Sequence, residues 1–92
     1  MSDLPFLESL IGGRKYRRMF SASDAEEMVW HRDQEERVVT VESGLGWLLQ
    51  FDNELPRPLV IDCRYVIPQF AWHRIIPVEG ATELVLTIDK LD

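Results

Sequence analysis

From Met28 to Ile88 the chain is broken into short apolar runs separated by turn residues, and this spacing constrains the fold more than any other feature. Val38-Val39-Thr40-Val41 is β-branched throughout, which suits a pleated strand. Ser43-Gly44-Leu45-Gly46 is a turn, and Trp47 to Phe51 then alternates with Trp47, Leu49 and Phe51 on one face. Asp52-Asn53-Glu54-Leu55-Pro56 breaks that run. Leu59 to Ile61 and Arg64 to Ile67 read as short strands around Asp62. His73 to Val78 is another, with Pro77 favouring a strand end or an edge. Glu79-Gly80 turns the chain, and Leu84, Leu86 and Ile88 alternate in a last strand. Turns every eight to twelve residues predict an antiparallel β-sandwich or barrel. Before this domain, residues 3–11 have helical spacing in Leu4, Leu7 and Ile11, with Asp3 as cap and Gly12-Gly13 as stop. The division expected is a helix and basic arm over 1–27 and a β-domain over 28–92.

The chain has 92 residues, which is one domain with a small core. A second copy would let a thin sandwich bury one more face, so a homodimer is expected. The net charge of −6 argues against general nucleic-acid or membrane-surface binding. No apolar stretch approaches the roughly 20 residues of a membrane span, and no signal peptide is visible, so a cytoplasmic location is expected. The single cysteine, Cys63, excludes an internal disulfide and a thiolate metal cluster, and its apolar surroundings predict a buried, inert thiol. The basic group Arg14, Lys15, Arg17 and Arg18 reads as a solvated connector.

Two segments carry chemistry. Trp30-His31-Arg32-Asp33-Gln34-Glu35-Glu36-Arg37 and Pro68-Gln69-Phe70-Ala71-Trp72-His73-Arg74 hold the only two histidines. Strand parity puts His31, Asp33, Glu35, Arg37, Val39 and Val41 on one face, polar at the start and apolar at the end. That is the interior of a barrel with its mouth near His31 and its floor near Val41. The repeated Trp-His-Arg triplets turn their indoles and guanidiniums to the opposite face, as a surface for stacking, cation–π contact or self-association.

These segments resemble the two motifs of the cupin superfamily. With His31 as the first histidine, Asp33 stands where a second histidine would be, Arg37 where a glutamate would be, and Gly44 on the motif glycine. Pro68 and His73 keep the proline-to-histidine spacing of the second motif, with Asp62 and Phe70 at its two glycine positions. Val29-Trp30-His31-Arg32-Asp33, Gly44-Leu45-Gly46-Trp47, Phe51-Asp52-Asn53-Glu54-Leu55-Pro56 and Trp72-His73-Arg74 together further resemble small uncharacterised cupin-like proteins of T4-like phages and cyanophages. The host cell would then be the cytoplasm in question. The resemblance implies a cupin-like jelly roll over residues 28–88, with His31 and His73 at neighbouring interior positions.

A cupin metal site would take His31, His73 and a carboxylate from Asp33, Glu35 or Glu36, with Glu35 named as the third ligand, for Fe, Mn, Ni or Zn. Arg37 opposes this, because a guanidinium repels a divalent cation. It is expected to pair with Asp33 or Glu35, Asp33 first by strand parity, or to receive an anion. The leading expectation is therefore a non-enzymatic binder with no metal. Its small, anionic or nucleotide ligand would be held by His31, Asp33, Arg37 and His73, with aromatic walls from Trp47, Tyr65 and Phe70. The alternatives are a metal-dependent enzyme of oxygenase or isomerase type, and a structural or assembly protein that acts through its sheet surface.

Overall fold

The computed structural model describes residues 7–22 and 29–91. Eight strands follow one another: β1 (Leu7–Gly12), β2 (Lys15–Phe20), β3 (Glu36–Ser43), β4 (Trp47–Phe51), β5 (Arg57–Pro58), β6 (Arg64–Ile67), β7 (His73–Pro77) and β8 (Leu84–Leu91). They form a five-stranded sheet in the order β1-β2-β8-β3-β6 and a three-stranded sheet in the order β5-β4-β7. All pairings are antiparallel. Apart from the β1–β2 hairpin, strands next to each other in the large sheet are far apart in sequence, as in a jelly roll.

Alternation decides what lies inside. Val39 and Val41 of β3 face Leu84, Leu86 and Ile88 of β8 within one sheet, and Trp47 and Leu49 of β4 with Ile75 of β7 close over them from the other. The register pairs Val39 with Ile88, Val41 with Leu86 and Leu49 with Ile75. Trp47 is 2% exposed, packs its ring 6.4 Å from that of Phe20, and donates its indole N–H to the Thr82 carbonyl at 2.6 Å. Each such side chain contributes about 1.5–3 kcal/mol of apolar burial, which a small domain needs from nearly every inward position. Gly44 opens the turn after β3 at φ +122°, where an added Cβ would lie 2.9 Å from both the Glu83 carbonyl oxygen and the Leu84 Cα. No other residue fits that close approach.

The N-terminal helix is corrected. Leu7–Gly12 is an edge strand that pairs with β2, and Gly13, at φ +57°, makes a hairpin turn and not a helix stop. Residues 3–6 of the expected helix lie outside the described residues. A hairpin wins here because β2 offers backbone partners to Leu7–Leu10 and Gly12, whereas a helix this short is marginal alone. The apolar side chains Leu10 and Ile11 remain exposed. Of the basic segment 14–20, Lys15–Phe20 is strand β2 and not a connector, while Arg14, Lys15 and Arg17 are exposed to solvent.

The expected strand at Leu59–Ile61 is displaced. Arg57–Pro58 pair with β4, and only Leu59 of the expected run is buried. Residues 60–63 form a turn stitched to β3, with Asp62 N–H donating to the Val41 carbonyl and Val41 N–H donating to the Cys63 carbonyl. That turn carries Cys63 to the surface, so the thiol is exposed and not buried.

Candidate metal centre

The segment before β3 is held by backbone bonds to the segment around His73. His31 and His73 exchange both N–H···O bonds, at 3.0 and 2.9 Å. Phe70 N–H donates to the Asp33 carbonyl at 2.9 Å, and the Gln69 side-chain amide donates to the Gln34 carbonyl at 2.8 Å. This bridge sets the two imidazoles side by side, with ring centroids 4.3 Å apart. His31, Asp33 and His73 each offer one ligand atom, all within 4.8 Å of one another.

Both rings are oriented the same way. His31 Nδ1–H donates to the Val29 carbonyl at 2.9 Å, and His73 Nδ1–H donates to the Ala71 carbonyl at 2.8 Å. A carbonyl only accepts, so the proton of each neutral ring sits on Nδ1 and Nε2 carries the lone pair. His73 is 2% exposed, and burial first of all holds its pKa below the ordinary histidine value. The Ala71 hydrogen bond opposes that shift, the neighbouring His31 adds to it, Asp33 opposes it, and Arg37 adds to it. The direction of that shift favours the neutral ring of His73.

Asp33 completes the group. Its Oδ1 lies 3.4 Å from Arg37 Nη2, and its Oδ2 lies 3.5 Å from His73 Nε2. Oδ2 is buried and accepts no hydrogen bond from the described residues. Two acceptor atoms thus face each other across 3.5 Å with no donor between them. A divalent cation with ligand distances of about 2.0–2.2 Å spans such a pair, since tetrahedral neighbours then sit about 3.3–3.6 Å apart. The residues present fit a metal ion.

Arg37 points inward, on the face its parity assigns. Its guanidinium hydrogen-bonds Glu35 at 2.8 and 3.0 Å and touches Asp33 less closely. The Arg37 hydrogen bond is the main reason that the Glu35 carboxyl titrates below its usual range. A bend at Gln34 and Glu35 precedes β3 and turns Glu35 onto Arg37, so the carboxylate beside the histidines is Asp33. Arg37 lies on the Oδ1 side of Asp33, and its charge is matched by two carboxylates.

Below this group is a cavity of about 20 Å³, lined by Arg18, His31, Asp33, Arg37 and His73 above and by Phe20, Val39, Ile67, Ile75, Leu86 and Ile88 beneath. The aromatic residues expected as walls lie elsewhere. Trp47 is packed in the core. Tyr65 places its hydroxyl in the β5–β6 connection, where it accepts from Val60 N–H and donates to the Pro58 carbonyl. Phe70 is exposed on the outside. Arg18 was missed, because 14–20 was not read as a strand. Its parity with the buried Phe20 is the signal that would have found it.

Phe70 and Asp62, the two residues at motif glycine positions, hold left-handed backbone, at φ +63° and +69°. The glycine conformation is kept without glycine. For a bulky aromatic residue such as Phe70 this costs about 1–2 kcal/mol.

No family model and no curated protein matches the chain. Solved structures do. An RmlC-like cupin protein with a double-stranded β-helix fold from Methanocaldococcus jannaschii aligns over 95% of this chain and 81% of its own, with TM-score 0.68 and 10% identity. A cupin domain from Bordetella pertussis Tohama I aligns over 100% of this chain and 99% of its own, with TM-score 0.63 and 18% identity. Fe(II)-HppE with an alternative substrate aligns over 85% of this chain and 43% of its own, with TM-score 0.62 and 10% identity. The chain therefore has the cupin fold, with His31, Asp33 and His73 gathered inside it.

Proposed function

We propose that the chain holds a divalent transition metal, with His31 Nε2, His73 Nε2 and Asp33 Oδ2 as its protein ligands. One observation carries this reading: the buried, unsatisfied Asp33 oxygen faces the lone pair of a buried neutral histidine at 3.5 Å. Two histidines and one carboxylate suit Fe(II), Mn(II), Ni(II) or Zn(II), and leave further coordination positions for water or a small ligand. The fold similarity to Fe(II)-HppE supports the same reading. A bound ion of this kind supplies Lewis-acid or redox chemistry. The protein's part is to fix the rings through the Val29 and Ala71 carbonyls and to hold Asp33 in place through Phe70 N–H.

The size of the interior cavity favours an ion over an organic ligand. A cavity of about 20 Å³ admits an ion or a single water. Sites for small organic molecules run to about 300–1,000 Å³. Metal chemistry of the oxygenase or isomerase type is therefore the enzymatic reading, restricted to small reactants at this centre.

The test is calorimetric titration of chelator-stripped, untagged protein with Zn(II) and Fe(II). The expected outcome is one site per chain in the wild type and none in His73→Ala. Equal, weak uptake by both proteins would instead make the histidines structural wall residues.

A further inference from the structure

We infer that the outer face of the three-stranded sheet binds a purine nucleotide of guanine type, with the base beside Trp30, Trp72 and Asp52 and the phosphate within reach of Arg32 and Arg74. This site is separate from the metal centre and does not rest on it. The antiparallel bridge between His31 and His73 puts residue 30 across from 74 and residue 32 across from 72. Each tryptophan of one triplet therefore meets the arginine of the other. The Arg74 guanidinium lies 4.6 Å from the Trp30 ring, and that of Arg32 lies 5.2 Å from Trp72 and 5.8 Å from Phe70. With the histidines turned inward, this outer face holds two indoles and two guanidiniums in alternation.

The third column of the face is β4. Gln50 pairs with Arg74, and Asp52 N–H donates to the Trp72 carbonyl, which fixes Asp52 beside the second indole. Trp30, Asp52 and Trp72 line a hollow of about 200 Å³. A neighbouring hollow of about 410 Å³ shares Asp52 and Trp72, adds Phe51, Glu54 and Arg57, and extends past the edge of this face to Val66, Pro68 and Ala71. Together these have the size of small-molecule sites, unlike the interior cavity.

Chemistry narrows the occupant. Both tryptophans are part-exposed, at 37% and 44%, and an indole face stacks on any planar base. An ionised carboxylate only accepts hydrogen bonds, so Asp52 asks for N–H donors, and its two oxygens match the adjacent N–H groups of a guanine edge. Neither Arg32 nor Arg74 has an ion pair with a carboxylate among the described residues. Two such guanidiniums repel an organic cation and attract phosphate. The net charge of −6 disfavours a long polyanion, but at physiological salt charges beyond about 8 Å are largely screened, so the local arginines govern a mononucleotide.

The probe is GMP, followed through the three indole N–H signals of ¹⁵N-labelled protein. The expected result is a saturable shift of the Trp30 and Trp72 signals below about 1 mM. The buried Trp47 signal should stay in place and report that the fold is intact. AMP, guanosine and inorganic phosphate should each bind more weakly. Asp52→Asn should remove the preference for GMP over AMP. Trp72→Leu should weaken GMP binding about tenfold or more. Arg32→Gln serves the same purpose should Trp72→Leu displace the Trp47 signal. Three results would overturn the inference: no saturable shift with GMP, equal binding of phosphate alone, or unchanged affinity in a folded Trp72→Leu or Arg32→Gln protein. So would a wild-type dimer that Trp72→Leu dissociates, since a second copy would then own the face.

Discussion

Replacing Asp33 by Asn should abolish metal binding while leaving the metal-free protein at least as stable as the wild type. The amide keeps the size of the side chain but loses the charge that an ion needs. Its N–H₂ can donate to His73 Nε2, which now faces a bare carboxylate oxygen at 3.5 Å. The acceptor–acceptor conflict is thereby relieved. A metal at a hundredfold excess over its Kd stabilises the wild type by about 2.7 kcal/mol. For a domain of this size that is a melting shift on the order of 10–20 °C. In Asp33→Asn the same metal concentration should give almost no shift, because affinity falls by more than the 10–100-fold typical of losing an outer-shell partner. Thermal unfolding with and without metal checks both halves.

Arg37→Met should act in opposite directions on stability and on metal binding. The guanidinium is largely buried, at 13% side-chain exposure, and compensates Glu35 and Asp33. Removing it leaves two carboxylates close together without a cation, at a cost of about 3 kcal/mol in the metal-free state. That is a large share of the roughly 5–14 kcal/mol available to a domain of 92 residues. A bound divalent ion restores the missing positive charge, so the variant should bind metal more tightly than the wild type. Denaturant unfolding of the metal-free proteins and calorimetric titration of both separate the two effects. A variant that loses stability and affinity together would show that Arg37 positions Asp33 for the ion.

Much of this site was legible because it rests on strand parity. His31, Asp33, Arg37, Val39 and Val41 share a face over two residues of rise each, and the proline-to-histidine spacing from Pro68 to His73 brings the second imidazole to the first. The 4.3 Å between the rings agrees with that reading, whereas two sheets apart they would lie about 10 Å from each other. The opposite faces of the Trp-His-Arg triplets follow from the same rule. Parity failed where the backbone departs from a strand. The bend at Gln34–Glu35 sends Glu35 to Arg37, so that Asp33 is the carboxylate left beside the histidines, and no local propensity announces that bend. Leu7–Gly12 fits a helical spacing, yet pairing with β2 settles it as a strand, a non-local outcome that periodicity does not carry. Cys63 sits in an apolar run, but the turn at 60–63 hands its neighbours to β3 and leaves the thiol outside. Trp47 and Tyr65 were placed on the cavity wall from their aromatic character alone. Their polar atoms are spent on the Thr82 and Pro58 carbonyls, which only the folded connections supply.

The most direct measurement is a crystal structure of the protein soaked in Zn(II), with an anomalous difference map collected at the zinc edge. A metal centre predicts one strong peak within about 2.0–2.2 Å of His31 Nε2, His73 Nε2 and Asp33 Oδ2. A map with no peak there, or with zinc bound only elsewhere on the surface, would contradict it.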